Sequence, residues 1–328
     1  MRIARWRYGD VVGEGLVERD AVVPFPDGLT VADVLARGLD AAIALREHAL
    51  REGEGTARPL RSVTLLAPLV PASVRDFVAF EEHVEGVSAS VDGRSEVVPE
   101  WYEAPTFYFT NPHTILGPGE PVAPPMTERL DFELEVAAVV GGVSGSDGRN
   151  LDAARAASHI FGYTIMNDWS ARDLQSREMK VRLGPAKGKD FGTSLGPWIV
   201  TADELAGFLD ADGFLAVRAE VRVNGELIGE DLVSHMGWPF SVLVAYASRN
   251  SRVVPGDVLG SGTVGGGGCL GELWGRAGAL TPPPLREGDE VALAVEGIGE
   301  LVARVGPCVP APSLPPAVAR PRTRHRTI

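Results

Sequence analysis

The chain holds only two cysteines, Cys269 and Cys308, among 328 residues. That is too few for a disulfide framework or a thiolate zinc cage, so a reducing cytoplasm is the expected setting, with a single Cys269–Cys308 pairing left open. Long apolar runs are missing as well. No 18 apolar residues stand together, and the opening Met1-Arg2-Ile3-Ala4-Arg5-Trp6-Arg7-Tyr8 has no continuous apolar stretch of the signal-peptide kind. Neither a transmembrane span nor a secretion signal is expected, which leaves the cytoplasm by elimination. Positive charge is scarce: 31 lysines and arginines face 44 aspartates and glutamates, a formal net charge of −13. Nucleic acid and membrane are therefore not expected partners. A phosphate-cradling loop is missing too, because Lys187-Gly188-Lys189-Asp190 puts an acid where the hydroxyl residue belongs and has the wrong glycine spacing.

What is present suits a soluble enzyme: 45% of residues are apolar and 23% charged, enough to bury a large core. With 39 glycines and 25 prolines, short strands and many turns are expected, and the fold class is α+β, rich in β. Residues 1–62 read as a small α+β domain with helical patterns over Val31 to Ala36 and Leu39 to Leu45, and Arg51 to Thr56 reads as a linker. Residues 63–309 form the larger, strand-rich part. In it, Asn224-Gly225 between Val223 and Glu226 is a two-residue hairpin signal, and helices are expected after Asp152, through Ala171 to Gln175 with Ser170 as N-cap, and through Phe240 to Tyr246. Residues 310–328, rich in proline and ending in Arg320, Arg322, Arg324 and Arg326, read as a mobile tail or a strap on a partner subunit.

The candidate chemistry starts in Asp131-Phe132-Glu133-Leu134-Glu135-Val136, where acids alternate with apolar residues. On a strand this places Asp131, Glu133 and Glu135 on one face and Phe132, Leu134 and Val136 in the core. Three carboxylates so close either surround a divalent cation or line a solvated edge. Asp168 closes the apolar run Phe161 to Asn167 and is either a ligand facing a pocket or part of a turn. Arg172 and Gln175, three apart on the next helix, share a face. Asp76 and His83 are seven apart, two turns if that segment is helical. Cys269 follows the glycine run Gly265 to Gly268 and, with no partner singled out by sequence, reads as a buried thiol.

Taken together and in order, the blocks Arg75-Asp76-Phe77 with His83, Asp131-Phe132-Glu133-Leu134-Glu135, Asn167-Asp168-Trp169-Ser170-Ala171-Arg172-Asp173-Leu174-Gln175, Lys189-Asp190-Phe191-Gly192-Thr193 and Gly260-Ser261-Gly262-Thr263 leading to Glu272 resemble the fumarylacetoacetate hydrolase family. The resemblance spans about residues 63–308. It implies a mixed β-roll catalytic body behind the small N-terminal domain, usually a homodimer, with Mg²⁺, Ca²⁺ or Mn²⁺ held by Asp76, Glu133, Glu135 and Asp168. His83 oriented by Glu272 would be the base that activates water, with Arg172 and Lys189 as further catalytic groups and Gln175, Thr263 and Gly192 at the substrate. Asp131 would then stand further out on the same face, either at the rim or behind the ligands as a supporting residue. The implied reaction is hydrolysis of a carbon–carbon bond in a β-diketone or acylpyruvate-like oxo acid. The alternatives are a decarboxylase or tautomerase of 2-oxo or 2-hydroxy-dienoate acids from aromatic catabolism, and a metal-dependent small-molecule binder without catalysis. The chain departs from fumarylacetoacetases proper at Val78, where a substrate-contacting tyrosine is expected, and in the segment Val91 to Tyr102, which replaces a long aromatic loop.

Overall fold

A computed structural model describes residues 1–53, 55–92, 96–320 and 322. Parts of three expectations lie outside the described residues: Glu54 in the expected linker, residues 93–95 of the loop after His83, and Arg324 and Arg326 of the tail. The elements that build the site, in chain order, are strand β1 (Arg2–Tyr8), strand β2 (Ser73–Phe77), helix α1 (Glu81–Asp92), strand β3 (Phe107–Thr110), strand β4 (Leu134–Val140), strand β5 (Ile160–Asp168), helix α2 (Arg172–Met179), strand β6 (Thr193–Thr201), strand β7 (Asp257–Gly260) and helix α3 (Leu270–Ala277).

These strands form one mixed sheet of 12 strands, running β1, β6, β5, β4, β7, β2, β3 through its middle and one edge. Along this run pairing is antiparallel except between β7 and β2, which run parallel with Gly260 beside Asp76; off it, Ile115–Leu116 pairs parallel with the start of β6. Every residue of β4 and β5 is buried, as expected of central strands covered on both faces. Leu134, Val136, Ala138 and Val140 enter one core with the separate four-stranded sheet that contains Arg218–Val223 and Glu290–Val295. Ala137 and Val139 enter a second core on the other face, with Ile3, Leu16, Val34 and Leu35 from the N-terminal segment.

The first 62 residues thus share both a sheet and a core with the larger body: Arg2 and Ile3 pair with Val200 and Ile199. Their helices, Val31–Arg37 and Leu39–Gly53, match the sequence pattern, and the first opens on a capping box between Thr30 and Asp33. The second runs to Gly53, so helix occupies the first half of the expected linker. The Asn224-Gly225 hairpin forms as expected, with positive φ at both residues (52° and 83°), the conformation of a type I′ turn. The described part of the tail, from Pro310 on, carries no helix or strand and is exposed.

Three local expectations are corrected. Arg75 to Val84 is not one helix: Asp76 sits on β2 and His83 on α1, which begins only at Glu81. Ser170 does not cap α2; the cap position is Ala171, and the Ser170 hydroxyl donates to the Asp168 carbonyl. The acidic alternation is not one half-exposed strand. The chain is irregular at Phe132 and Glu133, so Asp131 pairs with Ser170 in a separate two-stranded ladder while Glu135 belongs to β4. No helix among the described residues is long and apolar enough to cross a membrane.

Candidate metal and catalytic site

Four carboxylates arrive from three strands of the sheet and the residue before one of them. Asp76 comes from β2, Glu135 from β4, Glu133 from the irregular residue just before it, and Asp168 from the end of β5. One oxygen from each lies within 4.8 Å of the others, and all four residues are buried. Gly260 makes the convergence feasible. It lies on β7 between the strands of Asp76 and Glu135, and a Cβ there would stand 2.8 Å from Asp76 Oδ1 and 2.7 Å from Glu135 Oε2. Gly260→Ala is therefore expected to push the two carboxylates apart, weakening Mn²⁺ binding by about tenfold or more while costing about 1–3 kcal/mol of stability; calorimetric titration of Mn²⁺ into the variant checks it.

Two cations enter this group. Lys189 Nζ donates to Glu133 Oε2 and Asp168 Oδ2, both at 2.6 Å. Arg172 Nη1 lies 2.8 Å from Glu133 Oε1, while its Nε donates to Asp131 Oδ2 at 2.8 Å. Tyr108, on β3, donates its hydroxyl to Asp168 Oδ2. Five buried carboxylates, counting Asp131, thus face two cations.

The imbalance shows in the proton affinities. Burial, and next the Asp168 charge, pushes the Asp76 carboxyl well above the usual carboxylate range, and burial with the Asp76 charge does the same to Glu135. Asp168 is also raised, by burial, against the pull of Lys189. Glu133 goes the other way: burial alone would raise it, but Lys189 and Arg172 together hold it far below that range. Asp76 Oδ1, Glu135 Oε1 and Asp168 Oδ1 are buried without a hydrogen-bond partner. Unpartnered carboxylate oxygens converging in an all-oxygen set fit a hard divalent cation such as Mg²⁺, Mn²⁺ or Ca²⁺.

Beside the cluster sits a histidine–glutamate pair. His83 Nδ1 is 3.9 Å from Glu272 Oε2, and a nitrogen of the His83 ring is within 4.8 Å of a Glu133 oxygen, a gap that one water spans. Glu272 is fixed through its other oxygen, which accepts the Gly267 N–H at 3.0 Å and lies 2.6 Å from Arg276. Helices α1 and α3 approach closely here because residue 86 is glycine: a Cβ would stand 2.4 Å from Glu272 Cγ.

Arg172 and Gln175 also face a cavity of about 700 Å³. One wall is the α2 stripe Arg172, Gln175, Ser176 and Met179 with Lys180 just beyond, at positions i, i+3, i+4, i+7 and i+8. Val87, Trp274 and Arg129 close other sides. Among the described residues ten line it, and none of those is acidic.

Of the residues singled out by sequence, the structure brings Asp76, Glu133, Glu135, Asp168, Lys189, Arg172, His83 and Glu272 into one connected group, with Gln175 hydrogen-bonded to Arg172 at 3.1 Å. Gly192 is not at the cavity: the space beside its Cα is held by Val122 and Leu116. Thr263 is buried in the loop after β7, next to Gly268, and does not line the cavity either. Of the two places expected for Asp131 the structure gives the one behind the ligands: it is fully buried, both its oxygens taken by Arg172, which reaches Glu133, and by the Leu270 and Gly271 N–H groups at the start of α3, each bond 2.8 Å. Cys269 is buried as expected, and burial followed by the Asp131 charge pushes its thiol well above the usual range. Sequence reasoning missed Tyr108, which lies in an aromatic strand with nothing local to mark it, and Asn167, whose Oδ1 accepts the Glu133 N–H at 3.0 Å.

Comparison with known proteins agrees with this geometry. Residues 72–306 match the family model described as "Fumarylacetoacetate (FAA) hydrolase C-terminal". The fumarylacetoacetase of Arabidopsis thaliana is 30% identical over 312 residues, 78% of this chain and 73% of that protein. Among solved structures, the 5-carboxymethyl-2-hydroxymuconate delta-isomerase of Mycobacterium smegmatis superposes with a TM-score of 0.67 at 28% identity, over 94% of this chain and 100% of that one. The fumarylacetoacetate hydrolase of Exiguobacterium antarcticum gives a TM-score of 0.66 at 26% identity, over 94% and 99%. With a family match that takes in most of the chain and a mixed-sheet fold shared nearly end to end, the chain belongs to the fumarylacetoacetate hydrolase family and is an enzyme of the carbon–carbon hydrolase type.

Proposed function

We propose that the protein is a divalent-metal-dependent hydrolase that cleaves a carbon–carbon bond in a β-diketone or acylpyruvate-like oxo acid. The observation that carries this reading is the juxtaposition of Asp76, Glu133, Glu135 and Asp168, with three unpartnered oxygens, and the His83–Glu272 pair one water away. Those four carboxylates would hold Mg²⁺, Mn²⁺ or Ca²⁺, and the bound cation supplies Lewis-acid polarisation of a substrate carbonyl and charge neutralisation for an enolate. His83 takes a proton from water as the hydroxyl oxygen bonds to the carbonyl carbon. Glu272 Oε2, with no hydrogen-bond partner of its own, faces the imidazole and orients it. Lys189 spends two of its three N–H donors on Glu133 and Asp168, which leaves one for the tetrahedral oxyanion. Collapse of that adduct breaks the carbon–carbon bond, its electron pair moves into the departing enolate, and the proton held by His83 goes to the enolate carbon. Arg129, Arg172 and Lys180 around a cavity with no acid among its described lining residues favour an anionic substrate, in a chain whose overall charge of −13 would repel one.

The test is a panel of 2,4-diketo acids offered to purified protein with and without Mg²⁺ or Mn²⁺. Release of a carboxylic acid and a ketone is expected, abolished by chelator and restored by added metal. No cleavage across the panel would sink the hydrolase reading. A second reading, isomerisation of a 2-hydroxy-dienoate, is favoured by the 28% identity to the Mycobacterium smegmatis isomerase; it uses the same enolate stabilisation but no hydrolytic water.

A further inference from the structure

Cys269 has no role in that reaction, yet its surroundings are unusual for a structural thiol. Its Sγ lies 3.7 Å from His83 Nδ1. Sulfur, a ring nitrogen of His83 and an oxygen of Glu133 are within 4.8 Å of one another, all three buried. Glu272 Oε2 is a further buried oxygen, without a hydrogen-bond partner and 3.9 Å from the same imidazole nitrogen. For a tetrahedral ion with bonds of about 2.3 Å to sulfur and about 2.0 Å to nitrogen, the sulfur–nitrogen edge is about 3.5 Å, close to the distance observed. The set is a thiol, an imidazole and carboxylates, which suits a borderline-soft cation, whereas the neighbouring all-oxygen cluster suits a hard one.

The supporting contacts are also present. Glu272 Oε1 is tied to the Gly267 N–H and Arg276, which aims Oε2 inward. Cys269 is held at the cap position of α3, where its sulfur accepts the Glu272 N–H at 3.4 Å. Sulfur, imidazole and the Glu133 oxygen already stand within 4.8 Å of one another, and Glu272 Oε2 is 3.9 Å from the imidazole nitrogen.

We propose that His83, Cys269 and Glu272, with Glu133 at the fourth corner, form a second cation site selective for Zn²⁺ or Cd²⁺, adjoining the hard-cation cluster through the shared Glu133 and inhibitory when filled. Binding forms a metal–sulfur bond and releases the thiol proton to solvent, with no change of oxidation state. It also occupies the lone pair with which His83 would take a proton from water. The site itself stands on geometry; its inhibitory consequence rests on the reading of His83 as the base.

The experiment uses the full chain in a Cys308→Ser background, which removes the exposed second thiol. Metal-free protein saturated with Mg²⁺ is titrated with Cd²⁺ and followed by thiolate-to-cadmium charge-transfer absorption. The band is expected to saturate at one equivalent, to vanish in Cys269→Ser, and to need at least about tenfold more Cd²⁺ in Glu272→Gln, which keeps the thiol and loses a ligand. Diketo-acid cleavage, measured relative to each variant's own zinc-free rate, is expected to be inhibited by Zn²⁺ at concentrations at least about tenfold lower in the Cys269 protein than in Cys269→Ser. No absorption band, or a band that survives in Cys269→Ser or is unmoved in Glu272→Gln, overturns the site. If no diketo acid is cleaved, the hydrolase reading falls while the cadmium titration still decides this one. Equal zinc sensitivity with and without the thiol overturns the inhibitory role.

Discussion

His83→Ala is expected to lower the turnover number for a diketo acid by about 10²–10⁴-fold, the usual contribution of a positioned general base. His83 is buried on α1, and its ring reaches within 4.8 Å of Glu133. The loss should fall on kcat, because the residues lining the cavity do not include His83 and substrate binding survives its removal. Mn²⁺ affinity should stay within a few-fold, since Asp76, Glu133, Glu135 and Asp168 are untouched. Steady-state kinetics with calorimetric Mn²⁺ titration of the same variant separate these quantities. Retained hydrolysis would remove His83 from the mechanism. If instead hydrolysis were absent throughout and isomerisation of a 2-hydroxy-dienoate persisted in His83→Ala, the isomerase reading would replace the hydrolase one.

Asp131→Ala is expected to produce the largest loss of stability, about 3–5 kcal/mol, because breaking a buried ion pair leaves an uncompensated charge. Arg172 is buried, and although burial opposes its charge, Asp131 and next Glu133 hold its guanidinium strongly protonated. Asp131 also accepts the Leu270 and Gly271 N–H groups at 2.8 Å each, so its removal strips the first turn of α3 of a carboxylate at the favoured end of the helix dipole. Residues on that helix and its cap, Cys269 and Glu272, would lose their anchor. Urea unfolding monitored by Trp fluorescence checks the magnitude. A cost below about 1 kcal/mol would mean that Arg172 keeps its charge paired through Glu133 alone.

The same residue shows how far the sequence could be read. The alternation from Asp131 to Val136 is visible in one dimension, and its Glu133 and Glu135 do meet in the buried carboxylate cluster, but a period of two assumes an unbroken strand. The break at Phe132 and Glu133 sends Asp131 into a different ladder, opposite Ser170, and no local residue preference announces it. Asp76 and His83 illustrate the reverse case. A helix was the wrong frame, since strand β2 and helix α1 divide the segment, yet both residues reach the site because the turn between them folds α1 back over the carboxylates. Gly192 stands three residues after Lys189 and directly before Thr193, and the space beside its Cα is held by Val122 and Leu116.

By itself the sequence determined the β-rich α+β character, the helices from Val31 to Gly53, the Asn224-Gly225 hairpin, and which carboxylates, histidine, lysine and arginine belong together in family order. These are local or ordered signals, carried by periodicity, turn chemistry and motif blocks. Only the tertiary structure decided that the N-terminal strands extend the main sheet, that Gly260 leaves room for Asp76 and Glu135 to converge, and that Tyr108 and Asp131 complete the charge network. Such facts depend on groups far apart in the chain meeting at distances of a few ångströms. There, burial turns modest charge differences into large shifts of proton affinity, which no one-dimensional pattern encodes.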